Sequence, residues 1–309
     1  MNEKHVYDMI IVGGGPGGYT AALYGARAGL DIIVLEKLSA GGQMALTHRI
    51  DNYPGFEEGI DGFSLGEKMQ KQAELFGGKS EYAEVVGMDL NADPKMVETD
   101  TGVLYGKTVV IATGANPREL GIAKENELIG RGVAYCAACD GMFYKGKTVA
   151  VVGGGNSAAA DALLLSRIAR KVIVIHRRDT LRATKIYHEP LMNAENVEFR
   201  WNSTVAELLH EDRLTGVRLK DVVTGEESIV ECDGVFISVG RKPATEVLNG
   251  QLELDNSGYI VAGETTQTNI PGVYAVGDVR TKLLRQVVTA VADGAVAAHM
   301  AEEYLAGGA

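Results

Sequence analysis

One pattern occurs twice along this chain, and it limits the fold more than any other feature. Val6-Tyr7-Asp8-Met9-Ile10-Ile11-Val12-Gly13 is an apolar run that ends in glycines, and Lys147-Thr148-Val149-Ala150-Val151-Val152-Gly153 is another. An alanine-rich helical stretch follows each, Tyr19 to Ala28 in the first copy and Ser157 to Ile168 in the second. Each then enters a second apolar strand, Asp31 to Glu36 or Lys171 to His176, and Glu36 stands as far beyond Gly13 as His176 stands beyond Gly153. Strands without polar alternation are covered on both faces, as in parallel sheets. Two βαβ units in matching register predict an α/β protein with two Rossmann-like, parallel-sheet nucleotide-binding domains.

Further short strands are expected at Thr108 to Ala112 and Gly272 to Val276, and a long terminal helix at Gln286 to Tyr304. Hairpin strands are expected between Val205 and Leu219. Candidate crossings near Pro117-Arg118 and Arg241-Lys242-Pro243 place one domain inside the other. The expected division is residues 1–117 and 244–309 for the first domain, and 118–243 for the inserted one.

Composition agrees with such a fold. A chain of 309 residues, 46% hydrophobic and 23% charged, is long enough for two cores and is not a disordered composition. The net charge of -11, with no long basic stripe, argues against nucleic acid or an anionic membrane as partner. Met1 to His5 lacks the pattern of a leader. Residues 9–26 carry no charge, yet Gly13, Gly14, Gly15, Pro16, Gly17, Gly18 and Gly25 would break a membrane helix. A soluble, cytoplasmic protein is expected.

Gly13-Gly14-Gly15-Pro16-Gly17-Gly18 fits G-x-G-x-x-G between strand and helix. Gly13 permits the tight turn, Gly15 lets the backbone approach a pyrophosphate, and Gly18 lets the helix pack on the strand. The helix N-terminus offers free N–H groups to the phosphates. Glu36 can accept hydrogen bonds from a ribose diol and would repel a 2′-phosphate, so FAD or NAD fits this site. The second loop, Gly153-Gly154-Gly155-Asn156-Ser157-Ala158, has alanine at its third position. Its strand ends in His176-Arg177-Arg178, with Arg182 shortly beyond. Guanidinium groups grip a 2′-phosphate through charge-assisted bonds, which reads as NADPH rather than NADH. The competing reading is a solvated basic loop.

Cys136-Ala137-Ala138-Cys139-Asp140 carries the most chemistry. Two cysteines at this spacing can close a small disulfide, and a helix beginning there would lower a thiol pKa. Asp140 adjoins the pair as a proton shuttle. The alternatives are half of a zinc site or two inert thiols. Zinc takes four ligands, but only Cys232 remains, and His5, His48, His176, His188, His210 and His299 are scattered. No metal is expected, and Cys232 reads as a small buried hydrophobe.

In this order and length, these elements resemble the low-molecular-weight thioredoxin reductases of bacteria. Gly41-Gly42-Gln43, Ala112-Thr113-Gly114-Ala115, Gly240-Arg241-Lys242-Pro243 and Gly277-Asp278 add to the likeness, which spans essentially the whole chain. The resemblance implies FAD in the first site, with Gly13, Gly15, Pro16, Gly18, Glu36, Gly42, Gln43, Asn52, Thr113, Gly114, Gly277 and Asp278 around it, and Arg285, Gln286 and Val287 opening the last helix against the flavin. It implies NADPH held by Gly153, Gly155, Asn156, Ser157, Ala158, His176, Arg177, Arg178 and Arg182. Cys139 would face the flavin, Cys136 would exchange with the partner, and Asp140 would donate the proton. Met142 and Phe143 either help dock thioredoxin or belong to the core. Electrons would pass from NADPH through FAD and the cysteine pair to thioredoxin, with the inserted domain rotating between half-reactions in a homodimer. Rival readings are a flavin-dependent ferredoxin or flavodoxin–NADP reductase, a reductase of another small disulfide, and a non-enzymatic redox sensor.

Overall fold

The computed structural model describes residues 5–47 and 49–307. His48 and the first four residues, on which the expectation about a leader rests, lie outside the described residues. The chain divides into two compact units, Met1–Asn116 with Lys242–Ala309, and Pro117–Arg241.

The first unit begins with β1 (Val6–Val12), α1 (Pro16–Arg27) and β2 (Ile32–Glu36). It continues through α2 (Gly62–Leu75), β3 (Lys79–Tyr82), β4 (Val85–Asp89), β5 (Lys95–Thr99) and β6 (Val103–Ile111). The chain leaves along β7 (Ala115–Pro117).

The inserted unit contains β8 (Val133–Ala134), α3 (Ala137–Asp140), β9 (Thr148–Val152), α4 (Asn156–Ser166), β10 (Lys171–Ile175), α5 (His188–Met192) and β11 (Val197–Arg200). An antiparallel meander follows, made of β12 (Ser203–His210), β13 (Leu214–Asp221) and β14 (Glu227–Glu231), and β15 (Gly234–Ile237) closes the unit. The return runs along β16 (Arg241–Pro243), which pairs with β7. The first unit is completed by β17 (Val273–Ala275) and α6 (Val287–Leu305).

In the first unit the strand order is β3-β2-β1-β6-β5-β4, with β17 added beside β6. Strands β3, β2, β1, β6 and β17 pair in parallel, and β4–β5–β6 is antiparallel. Successive residues of β1 serve opposite faces. Ile10 and Val12 join a core with Ile33, Leu35 and Ile111, while Met9 and Ile11 join Val34, Tyr274 and Ala297. Both faces are covered, so the strand needs no polar positions. Each fully buried isoleucine contributes about 1.5–3 kcal/mol. The inserted unit repeats the plan with an all-parallel sheet of order β11-β10-β9-β15-β8, again between two cores.

Both expected helices start earlier than the sequence pattern indicated, at Pro16 and Asn156, because the last residues of each glycine-rich loop already form the first helical turn. Proline suits the first position of α1, where its missing N–H has no helical partner. No helix among the described residues is long and apolar enough to cross a membrane.

Candidate functional site

Each nucleotide loop opens a cradle at the C-terminal end of its parallel sheet. In the first unit, the Gly13 N–H donates to the Leu35 carbonyl at 2.8 Å, which turns the chain off β1. A Cβ on Gly18 would stand 2.0 Å from the Gly13 carbonyl oxygen, so α1 can pack this close only with glycine there. Gly15 is the N-cap of α1 and receives no side-chain capping bond. A Cβ at Gly15 would meet nothing within 4 Å. The helix therefore presents free N–H donors to open space, the feature a pyrophosphate requires.

Glu36, ending β2, accepts from the Gly14 N–H at 2.7 Å through Oε2 and from the Leu38 N–H at 3.0 Å through Oε1. Gly41 donates to the Gly14 carbonyl at 2.8 Å and brings the Gly42 turn against Gly15. Further out in the same unit, Gln43 donates to Asn116 at 2.8 Å and Asn52 to Gln286 at 3.0 Å. The Thr113 hydroxyl donates to the Ala244 carbonyl at 2.7 Å, and the Ala244 N–H to the Gly114 carbonyl at 3.0 Å. Gly277-Asp278 lies in a short 3-10 turn before α6. Gln286 caps α6, Val287 is its first residue, and the Arg285 guanidinium lies 3.9 Å from the Tyr259 ring centre.

The second cradle repeats this backbone. Gly153 donates to the Ile175 carbonyl at 3.0 Å, and Gly155 is the uncapped N-cap of α4, with nothing within 4 Å of a Cβ there. Ala158 is fully buried beneath the loop, and Asn156 accepts from the Thr184 N–H at 2.7 Å. Ser157 and the Arg177, Arg178 and Arg182 side chains are exposed at the rim.

His176, expected around NADPH with these arginines, is buried rather than exposed beside them. It is only 6% exposed, and its ring lies over the loop so closely that a Cβ on Gly154 would be 2.3 Å from Cε1. Among the described residues, its Nε2 has no hydrogen-bond partner. Burial, then the charges of Arg178 and Arg177, push its pKa below the usual imidazole value. The rim's positive charge thus belongs to the arginines.

The redox candidates lie in the inserted unit. Cys136 and Cys139 form a disulfide with a Cα–Cα separation of 5.2 Å. Cys136 is the extended N-cap of the single-turn helix α3, and its carbonyl accepts from the N–H groups of Cys139 at 3.2 Å and Asp140 at 3.0 Å. Both cysteines are half-buried. Beyond the pair, Met142 is 56% and Phe143 44% exposed, which places neither in the core. Burial pushes the Tyr144 hydroxyl up to about 12, with Asp140 adding to the shift. Cys232 is buried, with its thiol pushed up to about 12 by burial, so it forms little thiolate at neutral pH. Among the described residues, no group of three or more His, Cys, Asp or Glu is placed to hold a metal ion.

Three polar arrangements lay beyond the sequence reading. In α6, the Asp293 carboxylate accepts from Gly277 N at 2.8 Å, Arg280 at 2.7 and 2.9 Å, and Lys282 at 2.7 Å. Burial alone would raise its pKa, but the bonds from Arg280 and Lys282 outweigh it and hold the carboxyl below its ordinary value. This cluster fixes the turn that carries Asp278. In α4, Asp161 accepts from the Ser238 hydroxyl at 2.5 Å and ties the helix to the end of β15. The third, at Glu125, adjoins the redox pair. A lone acid in an alanine-rich helix, Asp293 in α6 and Asp161 in α4, was the sequence signal for two of them.

The residues present fit a dinucleotide in each cradle, and the comparisons with known proteins agree. Residues 7–294 match the family model described as pyridine nucleotide-disulphide oxidoreductase, and the chain belongs to that family. The thioredoxin reductase of Listeria monocytogenes is 45% identical over 305 residues, 98% of this chain and 95% of that protein. That of Bacillus subtilis is 43% identical, over 99% of this chain and 96% of its own. The crystal structure of thioredoxin reductase from Streptococcus pyogenes superposes with a TM-score of 0.90 at 42% identity, covering 98% of this chain and 99% of the other. Within the wider family, the chain is a member of the thioredoxin reductases, the FAD-containing, NADPH-dependent oxidoreductases.

Proposed function

We propose that this chain takes electrons from NADPH and delivers them, by way of FAD and the Cys136–Cys139 pair, to the disulfide of thioredoxin. The observation that carries the reading is a half-exposed disulfide in the same unit as an arginine-rimmed nucleotide cradle, while the other unit holds an acid-bearing cradle. Residues 1–117 and 244–309 form the FAD domain and residues 118–243 the NADPH domain.

FAD, when bound, accepts the hydride of NADPH and supplies two electrons to the disulfide. The chain's own residues do the rest. The N–H groups at Gly15 and at the start of α1 bind its pyrophosphate, and Glu36 takes its adenosine ribose. Gly42, Gln43, Asn52, Thr113, Gly114 and Asp278 line its length, and Arg285, Gln286 and Val287 set the N-terminus of α6 toward the flavin. In the other cradle, Gly155, Asn156, Ser157 and Ala158 form the pyrophosphate turn for NADPH, and Arg177, Arg178 and Arg182 neutralise its 2′-phosphate. Asp140 holds the proton that a departing sulfur of the pair takes up.

The reduced pair then works by exchange. The Cys136 thiolate attacks one sulfur of thioredoxin's disulfide, forming a mixed disulfide and releasing the other sulfur as thiolate. Cys139 next attacks Cys136, remaking the Cys136–Cys139 bond and freeing reduced thioredoxin, which carries away two electrons and two protons. Met142 and Phe143 offer the partner an apolar contact beside the sulfur atoms. Rotation about the crossings near Pro117-Arg118 and Lys242-Pro243 alternates the two half-reactions. The same reading makes the protein a cytoplasmic homodimer; light scattering tests the dimer and cell fractionation the compartment.

In a Cys139→Ser variant, NADPH should still bleach the flavin absorbance while thioredoxin reduction falls at least about a hundredfold. Undiminished thioredoxin reduction would overturn the relay. Activity toward ferredoxin or flavodoxin that survives loss of both cysteines would move the chain to that class.

A further inference from the structure

Glu125 is 2% exposed, and its carboxylate is bonded within one neighbourhood. Oε1 accepts from the Leu120 N–H at 2.8 Å and from the Tyr135 hydroxyl at 2.7 Å. Oε2 accepts from the Gly121 N–H at 2.8 Å and the Ile122 N–H at 3.3 Å. Three backbone donors fix the carboxylate, so it is a rigid acceptor for the fourth. Leu120, Ile122 and Tyr135 also pack against one core of the inserted unit. Burial, then the bond to Glu125 and its charge, push the Tyr135 hydroxyl well above the usual phenol range, so it stays a donor.

Tyr135 is the residue before Cys136. Cys139 is held by the backbone of α3, whereas Cys136 precedes the helix in an extended conformation. Its carbonyl is held by α3, and the direction from which its backbone arrives depends on what anchors the chain before it.

The geometry points to Glu125 and Tyr135 as positioning residues for the redox pair: the carboxylate holds the Tyr135 hydroxyl and so fixes the corner from which the Cys136 sulfur meets Cys139. The inference rests on reading that pair as the dithiol that passes electrons. The equilibrium between dithiol and disulfide measures the effective concentration of one thiol at the other. A fixed corner keeps that concentration high and favours the disulfide. Freeing the corner favours the dithiol. The anchor joins a segment just past the outgoing crossing to the sulfur atoms, so the path of that segment bears on their reactivity.

The test equilibrates the holoenzyme with mixtures of reduced and oxidised glutathione, without NADPH. Oxidised glutathione takes two electrons from the dithiol, so the Cys136–Cys139 bond forms as the glutathione disulfide breaks. The two thiol protons pass to the two glutathione molecules. Acid quenching, alkylation and mass measurement count the free thiols.

Tyr135→Phe keeps the ring and removes the bond to the carboxylate. It should shift the equilibrium about three- to tenfold toward the dithiol, less than the roughly tenfold or more of a whole hydrogen bond to a charged group, because only the part that differs between disulfide and dithiol is read. Glu125→Gln should shift it further, because its amide sets N–H groups against the backbone donors. A role in folding alone would lower the melting temperature of both redox forms alike and leave the equilibrium in place. A Tyr135→Phe equilibrium within about twofold of the wild type, a change too small for such a bond, would overturn the proposal even if Glu125→Gln fails to fold. Thioredoxin takes no part in this measurement. A wild-type protein that failed to reduce thioredoxin would thus remove the functional reading and leave this result readable.

Discussion

In the first cradle the side chain at the end of the second strand reaches the glycine loop as an acceptor, and in the second it covers the loop as a ring. Glu36 takes the Gly14 N–H at 2.7 Å and keeps lone pairs for a diol. His176 occupies the equivalent place by lying across Gly154, neutral and turned inward. The backbones match, down to the uncapped glycine that opens each helix. On the proposed reading, choice between nucleotides rests on what this one strand-end position and its followers offer, a carboxylate in one unit and three guanidinium groups in the other.

The sharpest way to break this comparison is at the arginines. Replacing Arg177 and Arg178 with alanine should raise the KM for NADPH about a hundredfold, from two charge-assisted phosphate contacts, and leave that for NADH nearly unchanged. Steady-state kinetics with both nucleotides checks this, and equal losses would mean that the rim does not read the 2′-phosphate. Glu36→Gln should weaken FAD retention about tenfold, read from the fluorescence of released FAD, without moving the KM for NADPH.

A methyl group separates the loops by stability. Gly154→Ala forces the His176 ring aside and should cost about 1–3 kcal/mol in denaturant unfolding. Gly15→Ala meets open space, so the apoprotein should unfold as before while FAD binding is lost. The smallest effect concerns pH. Because folding depresses the His176 pKa, the unfolded chain takes up the proton first as pH falls. The stability this residue contributes is complete above the usual imidazole pKa of about 6.5 and is lost as pH falls below it. His176→Asn should flatten the decline between neutral pH and pH about 5 in thermal unfolding. An unchanged profile would mean that the ring is not held neutral.

Much of this architecture was legible in the residues themselves. The βαβ repeats show in apolar runs and glycines that are close in sequence, and the acid and the arginines fall at fixed distances from them. What escaped depends on contacts that close only in three dimensions. Asp293 is read as a plain helical acid until the fold brings it to Gly277 and Arg280. Glu125 looks like one more charge in a loop until the carboxylate folds back on Leu120, Gly121 and Tyr135. His176 has the expected register, but a rotamer that puts a ring inside is invisible to spacing. The redox pair itself was plain in sequence, and its anchor was not.

The strands that carry the chain out to the inserted unit and back lie side by side, β7 paired with β16. The two ends of the insert are therefore neighbours, and a short turn would suffice to bridge the gap if the segment between them were excised. The remaining strands would keep their hydrogen-bonded order, with β17 still alongside β6. Such a junction lets a whole module be gained, traded or deleted by one event in a gene without disturbing the host's core.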